Sequence, residues 1–328
     1  MARIGDCNLI GRSPAFAAAT ALIGKFATCD ATVLIEGETG TGKELAARAI
    51  HYLSARSGCP FIPVNCGALP DTLAENELFG HVRGAYTDAR ESHTGLVSRA
   101  EGGTLFLDEI ESLSAKGQVV LLRFLQDGAY RPLGGRSQVA GNARVVAASN
   151  VDLVELVKSG AFRQDLLYRL ALLTLRMPPL RERAGDARVL AEHFMQQFRL
   201  RYARPGMHFA PHFLDALAER AWPGNVRELE NLVHRAFLLA EGTLVDVPAA
   251  PAAAPAAARP AAAIPLPAAR SFRQAKALVV AEFEREFAKR ALEESGGNVS
   301  AAARLAGKER RAFGRLLRKH GIDRSAFG

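Results

Sequence analysis

The chain has 328 residues, a hydrophobic content of 48% and a formal net charge of +8, so two or three domains with packed cores are expected. Its four cysteines show no C-x-x-C spacing, which argues against a zinc motif or a disulfide framework. The sequence has neither a signal peptide nor an apolar run of about 18 residues, so the expected location is cytoplasmic, with no membrane partner.

The first two thirds of the chain alternate between strand and helix patterns. A helix is predicted within 8–30, with one face formed by Phe16, Ala19, Leu22, Ile23 and Phe26. Strands are predicted at 32–36, 61–64, 103–107, 143–149 and 171–175. Alternation of this kind predicts an α/β fold with a parallel sheet.

A glycine-rich loop stands between the first predicted strand and a helix-compatible run. A loop in this position can surround a β-phosphate with its backbone N–H groups, while its lysine reaches the β- and γ-phosphate oxygens. The residues predicted to bind the nucleotide are Gly37, Glu38, Thr39, Gly40, Thr41, Gly42, Lys43 and Glu44. Most such loops place Ser or Thr, a magnesium ligand, where this chain has Glu44.

Two carboxylates end the strand predicted at 103–107. Asp108 can hold Mg²⁺ through water, and Glu109 can polarise a water molecule for attack on the γ-phosphate. A glycine loop alone is often only a tight turn before a helix. The loop together with the Asp-Glu pair indicates a nucleoside triphosphatase.

The pattern becomes helical after Pro178-Pro179. Three amphipathic helices are predicted at 185–202, 210–220 and 224–240, with a break at Trp222-Pro-Gly224. Residues 247–269 are almost entirely Ala and Pro, and frequent Pro interrupts the helix that Ala favours. This segment is predicted to be an extended, semi-rigid spacer.

The C-terminal fifth of the chain is strongly basic. Residues 270–328 hold 14 Lys and Arg against 7 Asp and Glu, so a net charge of +7 lies in this part of the chain. A long helix is predicted from Ser271 to Gly296-Gly297. Its apolar stripe, predicted as a packing or dimer seam, consists of Phe272, Ala275, Val279, Phe283 and Phe287.

Two short helices are predicted after the long one. Asn298 caps the first, at 299–305, Ala306-Gly307 forms a turn, and the second covers about 308–319. A basic surface helix is often only a solvated face, but this turn and the local charge excess favour a DNA-binding helix-turn-helix. The residues predicted to contact DNA are Lys308, Arg310, Arg311, Arg315, Arg318 and Lys319.

Seven motifs occur in order along the chain. They are Gly37-Glu-Thr-Gly-Thr-Gly-Lys-Glu44, Glu77-Leu-Phe-Gly-His81, Gly84-Ala-Tyr-Thr-Asp-Ala89, Gly103-Thr-Leu-Phe-Leu-Asp-Glu109, Phe162-Arg-Gln-Asp-Leu-Leu-Tyr-Arg169, Pro178-Pro-Leu-Arg-Glu-Arg183 and Trp222-Pro-Gly-Asn-Val-Arg-Glu-Leu229. From about residue 8 to 322 the chain resembles the AAA+ activators of sigma-54 RNA polymerase, and its tail resembles their Fis-type helix-turn-helix. That family also has Glu after the loop lysine, so Glu44 becomes a match.

The resemblance implies a domain plan. It comprises a AAA+ P-loop α/β subdomain at 8–176, a helical lid subdomain at 177–246, a linker at 247–269 and an all-α helix-turn-helix domain at 270–328. About seven residues precede the AAA+ pattern. A trans-acting regulator or the protein's abundance is therefore expected to control it, or an N-terminal regulatory domain has been removed.

The resemblance also implies roles for further residues, with ATP and Mg²⁺ as cofactors. Asn65 corresponds to the residue that hydrogen-bonds the catalytic Glu109, Asn150 to sensor I, and Arg227 to sensor II in the lid. Arg163 and Arg169 correspond to arginines offered to the ATP of a neighbouring subunit, which implies a homo-oligomer that proceeds from dimers to a hexameric ring.

One loop departs from the family pattern. Gly84, Ala85, Tyr86, Thr87, Asp88 and Ala89 stand where the family has Gly-Ala-Phe-Thr-Gly-Ala, the loop that contacts sigma-54. Tyr86 keeps the aromatic ring, whereas Asp88 adds a negative charge and removes backbone freedom. The change either tunes the sigma-54 contact or weakens it.

The implied function is that of an ATP-hydrolysing transcription activator, which binds upstream DNA and remodels the closed complex of sigma-54 RNA polymerase. The alternative is a DNA-binding regulator that uses ATP for assembly without productive sigma-54 contact. Asp88 supports this alternative, and the intact Asp108-Glu109 pair opposes it. A AAA+ unfoldase or helicase would have a pore loop and no sequence-reading tail, so the 84–89 loop and the basic helix disfavour it.

Overall fold

A computed structural model describes residues 7–69, 74–86, 89, 91–218, 220–246 and 272–323. It divides the chain into two compact units, Met1–Pro248 and Ala249–Gly328. The predicted spacer at 247–269, the loop residues Thr87 and Asp88, and the side chains at 272–279 and 283 lie outside the described part.

The described residues form helices and short strands in alternation. The helices are α1 Pro14–Ala27, α2 Lys43–Tyr52, α3 Ala74–Phe79, α4 Leu96–Arg99, α5 Ala115–Asp127, α6 Leu153–Lys158, α7 Gln164–Leu170, α8 Asp186–Arg201, α9 Pro211–Ala216, α10 Asn225–Leu239, α11 Phe272–Glu294, α12 Val299–Leu305 and α13 Arg310–Lys319. The strands are β1 Val33–Glu36, β2 Phe61–Asn65, β3 Gly80–His81, β4 His93–Thr94, β5 Thr104–Asp108, β6 Ala129–Tyr130, β7 Val139–Ala140, β8 Arg144–Ser149, β9 Leu173–Arg176, β10 His208–Phe209 and β11 Leu244–Val245. Within the described ranges, no helix combines the length and apolar character that crossing a lipid bilayer requires.

A five-stranded parallel sheet organises the first unit, in the order β2-β5-β8-β1-β9. These are the five predicted strands, so the predicted α/β parallel sheet is confirmed. Glu36 lies beside Ser149, and Asn65 beside Asp108, at the carboxyl ends of their strands. Polar residues that end separate runs of sequence therefore meet at one edge of the sheet, where ligands of such sheets bind.

Helices cover both faces of the sheet because successive strand residues point to opposite sides. On β5, Leu105 and Leu107 belong to the core under α5 and α7, whereas Phe106 belongs to the core under α1 and α2. On α1, Leu22 does not lie on the packed face as predicted and is 38% exposed. The buried positions follow the helical repeat from Phe16 to Ala27, which places Leu22 to one side of that stripe.

Three helices, α8, α9 and α10, form a separate layer after the sheet, as predicted. Their core surrounds Trp222 and Phe237, and the Trp222 indole N–H donates to the Leu217 carbonyl at 3.0 Å. Trp222 and Asn225 adopt left-handed backbone conformations, with φ of 51° and 52°. The chain therefore turns sharply before α10 begins.

A buried ion pair ties the start of the chain to this helical layer. The Arg183 Nε donates to Asp186 Oδ2 at 2.9 Å, and both side chains are almost fully buried. Asp186 also accepts from the Ser13 hydroxyl and backbone N–H, while Arg183 donates to the Ile10 carbonyl at 2.6 Å. These added bonds are what a buried ion pair needs to offset its desolvation.

The second unit is a three-helix domain made of α11, α12 and α13. Its core includes Leu292, Phe313 and Leu317. The Asn298 side chain accepts from the N–H groups that begin α12, and Gly307 turns the chain with φ of 60°. The predicted helix-turn-helix is confirmed, although its second helix begins at Arg310. Four members of the predicted apolar stripe have side chains outside the described part, and Phe287 is 41% exposed.

Candidate functional site

Lys43 follows the glycine-rich loop between β1 and α2, and its side chain reaches back to that loop. Its ammonium group donates to the carbonyls of Gly37 at 2.7 Å and Glu38 at 3.1 Å, and to Asn150 Oδ1 at 2.5 Å. Burial lowers the pKa of Lys43, and the charge of Asp108 partly opposes that shift. Helix α2 begins at Lys43, so its unpaired first-turn N–H groups adjoin the loop.

The end of β5 supplies the carboxylates. Asp108 is half-buried and accepts from the Glu109 backbone N–H at 3.0 Å, and burial raises the pKa of Asp108. Glu109 has a left-handed backbone conformation, with φ of 53° and ψ of 47°. Non-glycine residues in that conformation concentrate at functional sites, where the surrounding structure maintains the strain.

Glu111, which the sequence did not single out, joins this strand end to Asn150. Its Oε1 accepts from the Asn150 backbone N–H at 3.1 Å, and its Oε2 is buried without a hydrogen-bond partner among the described residues. The Asn150 side chain in turn accepts from Lys43 and from the Thr39 hydroxyl. One polar network therefore connects the glycine loop, β5 and β8.

Several of these groups line a common cavity of about 250 Å³. The predicted nucleotide and metal residues that line it are Thr39, Gly40, Gly42, Lys43, Glu44, Asp108, Glu109, Asn150 and Arg227. Cations, amide groups and carboxylates converge here from the loop, two strands and helix α10. The cavity is thus suited to a polyanion accompanied by a divalent cation, for which Asp108 offers the carboxylate oxygen that Mg²⁺ prefers.

A second, more apolar cavity of about 210 Å³ shares Gly42, Leu45, Val226 and Glu230 with the first. Ile10, Phe16, Leu190 and Phe194 form much of its wall. Thr41 and Gly42, which are predicted to bind the nucleotide, also line this cavity, whereas its apolar wall was not predicted. A flat apolar ring fits such a wall, beside a site for phosphates.

Two predicted residues have contacts other than those expected. Asn65 does not hydrogen-bond Glu109 among the described residues. Its Oδ1 accepts from the N–H groups of Gly67 at 2.8 Å and Ala68 at 3.2 Å, because the side chain caps the turn after β2. Glu44 lines the cavity and also pairs with Arg48 at 2.7 Å on the exposed side of α2.

Arg163 and Arg169 do not line the cavity of their own chain. Arg163 precedes α7 and pairs with Asp165 at 2.6 Å, with both side chains about half exposed. Arg169 is exposed on the same helix. The cavity therefore lacks the contribution of these two arginines, and their roles remain predictions.

The loop predicted to contact sigma-54 projects from the β3–β4 hairpin. In its described part, the Gly84 N–H donates to the Ala89 carbonyl at 2.8 Å, and the Val82 N–H donates to the Leu133 carbonyl at 3.0 Å. Tyr86 is 45% exposed, and its ring centroid lies 5.1 Å from that of His81. The aromatic side chain is therefore accessible next to an anchored loop base.

Helix α13 presents a basic face. Phe313 and Leu317 point into the domain core, whereas all six predicted DNA-contact residues are exposed: Lys308, Arg310, Arg311, Arg315, Arg318 and Lys319. Lys319 also pairs with Glu284 of α11 at 2.7 Å. The other five cations make up most of this face.

Family models match almost the entire chain. The Sigma-54 interaction domain matches residues 9–176, the AAA+ ATPase lid domain matches 181–263, and the Bacterial regulatory protein, Fis family, matches 279–320. The lid model thus extends into the Ala- and Pro-rich segment. The domain boundaries proposed from the sequence remain predictions.

Individual transcriptional regulators are similar to this chain over most of its length. The chain is 50% identical to the hydrogenase transcriptional regulatory protein HoxA of Cupriavidus necator over 66% of the chain and 45% of HoxA. It is 43% identical to the transcriptional regulatory protein ZraR of Escherichia coli K12 over 93% of the chain and 67% of ZraR. The chain therefore spans about half to two thirds of these relatives.

A solved structure has the same architecture. NtrX from Brucella abortus, crystallised in complex with ATP, superposes with a TM-score of 0.67 at 30% identity, covering 96% of this chain and 69% of NtrX. This structural match, the parallel sheet, the helical lid and the three family models all indicate the same protein family. The chain belongs to the sigma-54-dependent transcriptional activators, with a AAA+ P-loop fold, a helical lid and a Fis-type DNA-binding helix-turn-helix.

Proposed function

We propose that this chain hydrolyses ATP and uses the reaction to remodel the closed complex of sigma-54 RNA polymerase at promoters selected by its DNA-binding domain. The main supporting observation is the convergence of Lys43, Asp108, Glu109, Asn150 and Arg227 on one cavity. The NtrX complex with ATP supports a nucleotide in the corresponding fold.

Different residues would bind the phosphates, hold the metal and activate the attacking water. The glycine loop and Lys43 would bind the β- and γ-phosphates, and Asp108 would hold Mg²⁺, which would neutralise part of the phosphate charge. Glu109 orients and deprotonates the attacking water. Asn150 and Arg227 contact the terminal phosphate from the sheet and from the lid.

A homo-oligomeric ring would complete the site. Arg163 and Arg169 would reach the ATP of a neighbouring subunit and stabilise charge on the transferred phosphoryl group. That division of labour explains why neither arginine faces its own cavity. The exposed Tyr86 loop would transmit the motion to sigma-54, and α13 would hold the assembly on DNA. A trans-acting regulator and a cytoplasmic location belong to the same proposal.

The alternative of ATP-dependent assembly without sigma-54 contact rests on Asp88 in the loop sequence. The two proposals differ in a promoter-opening assay with the purified chain, sigma-54 holoenzyme, promoter DNA and ATP. We expect ATP-dependent open complexes, which the Lys43→Ala variant does not form. ATP turnover without open complexes at any sigma-54 promoter would favour the alternative.

A further inference from the structure

Glu38, the second residue of the glycine-rich loop, is held by the helical lid. Its carboxylate accepts two hydrogen bonds from the Arg181 guanidinium, at 2.6 and 2.8 Å, in a bidentate pair. It also accepts from Asn225 Nδ2 at 3.1 Å. The bonds from Arg181 and Asn225 lower the pKa of Glu38 to about 2. Glu38 is not among the residues that line the phosphate cavity, so its contacts serve the lid.

Asn225 forms a second contact between the glycine-rich loop and the lid. It is fully buried at the first position of α10 and has a φ of 52°. Besides its bond to Glu38, its Nδ2 donates to the Thr39 carbonyl at 3.0 Å, and its Oδ1 accepts from the Leu180 N–H at 2.8 Å. The Nδ2 group therefore joins the loop to the lid, while Oδ1 fixes the start of α10 to Leu180 within the lid.

The backbone of Gly40 forms a third contact between the glycine-rich loop and the lid. Its carbonyl accepts from the Val226 N–H at 3.0 Å. A side chain at Gly40 would collide with the Gly224 carbonyl oxygen, and Gly40 has a φ of 80°. Only glycine allows the loop and lid backbones to approach so closely. We call the set of Glu38, Arg181 and Asn225 the loop–lid clasp.

The loop–lid clasp lies next to residues that line the phosphate cavity and the apolar cavity. Val226 and Glu230 line the phosphate cavity and the apolar cavity, and Arg227 lines the phosphate cavity. All three lie on α10 within two turns of Asn225. The positions of these walls relative to the loop therefore depend on the clasp.

We propose that Glu38 is a positioning residue for nucleotide binding, which preorganises the lid on the phosphate loop through Arg181 and Asn225. This inference rests on the proposed binding of a nucleoside triphosphate. Because Glu38 acts on the walls of the site, its loss weakens binding more than the chemical step. By reciprocity, bound nucleotide stabilises the loop–lid contact.

The test uses the full-length chain with Glu38→Gln, Arg181→Met and both changes together. Glu192→Gln is the matched control because it breaks an exposed Glu–Arg pair with Arg188 on the same lid. We expect the Kd for a non-hydrolysable ATP analogue to rise about tenfold in each single variant and no further in the double variant. Maximal hydrolysis at saturating ATP should change less than the Kd, and the control should behave as the unchanged chain.

Hydrogen exchange separates this inference from the proposed function. Without nucleotide, amide exchange in α10 should be faster in Glu38→Gln than in the control. If the unchanged chain bound no nucleotide, the proposed function would fail, whereas the clasp would still be judged by this exchange. Unaltered exchange in α10, or additive effects in the double variant, would overturn the clasp.

The pH dependence gives a further readout. The pKa of Glu38 falls from its ordinary 4.5 to about 2, so the clasp is charged above pH 4.5 and weakens as the pH falls towards 2. The loss of affinity in Glu38→Gln should therefore be constant across the neutral range. A loss of affinity that varied with pH in the neutral range would come from another titrating group and would contradict the clasp.

Discussion

Lys43 is a buried cation within the candidate site. Its side chain is 7% exposed, and burial lowers its pKa although Asp108, Glu111 and Glu109 favour its charged form. A buried ammonium group needs compensating charge and hydrogen bonds, which the loop carbonyls and Asn150 supply here. The phosphates of ATP would add to that compensation.

Lys43 and Glu109 should have separable effects. Lys43→Ala removes the cation that reaches the phosphates, so ATP binding should be abolished. Glu109→Gln keeps the size of the side chain but cannot accept a proton, so ATP should still bind while hydrolysis falls about 10²–10⁴-fold. Titration with an ATP analogue and a phosphate-release assay measure the two effects. Retained affinity in the first variant, or near-normal turnover in the second, would remove that residue from its role.

At the residue scale, the sequence allowed us to predict which residues would lie together, while their roles stay predictions. Asp108 ends a buried strand, Asn150 follows one, and Lys43 follows the loop after a third, and parallel strands bring such ends together. The apolar cavity could not be predicted in this way, because Ile10, Leu190 and Val226 are distant in sequence. The bond expected between Asn65 and Glu109 stays a prediction, and in this structure the Asn65 Oδ1 instead caps a local turn.

Elements were predictable to different degrees. The five sheet strands are short apolar runs, and the completely buried β8 is the plainest of them. Their order in the sheet was not predicted, since a buried run does not indicate which strand pairs with it. The loop–lid clasp was missed for a related reason. Its members, Glu38, Arg181 and Asn225, belong to three separate motifs and meet only in the folded chain.

Helix α13 contains an unusual glycine in the middle of its basic face. Gly314 has Arg310, Arg311, Arg315 and Arg318 as its helical neighbours, and a Cβ atom added there would meet no atom within 4 Å. Glycine in a helix interior costs about 1 kcal/mol relative to alanine. Packing among the described residues gives no reason for this cost, whereas close approach of a DNA backbone would.

Gly314→Ala should therefore separate stability from DNA binding. We expect the helix-turn-helix domain to gain about 0.5–1 kcal/mol of unfolding free energy, while affinity for duplex DNA falls because the methyl group meets the DNA backbone. Thermal unfolding and fluorescence anisotropy of the full-length chain measure the two effects. Arg315→Ala is the comparison, since losing one phosphate contact should also reduce the salt dependence. Tighter or unchanged DNA binding by Gly314→Ala would contradict a close contact at this position.

At the scale of the whole molecule, the candidate nucleotide site and the basic helix-turn-helix belong to different units. The residues of the candidate nucleotide site belong to the unit Met1–Pro248, whereas the net positive charge of the chain lies within the unit Ala249–Gly328. Within the first unit, the candidate site brings together most of the predicted nucleotide residues, but it does not include the two arginines of the α7 region. A site completed only by a second copy predicts that hydrolysis depends on protein concentration, because dilution separates the subunits.

Mixing two inactive variants tests this account most directly. Arg169→Ala keeps Glu109 but offers no Arg169 to its neighbour, whereas Glu109→Gln keeps Arg169 but does not hydrolyse its own ATP. In an equal mixture, about a quarter of the interfaces would combine the intact Glu109 with the intact Arg169. The account predicts that magnesium-dependent phosphate release, lost in each variant alone, returns in the mixture. A mixture as inactive as its separate components, at concentrations where the unchanged chain hydrolyses ATP, would contradict a site shared between subunits.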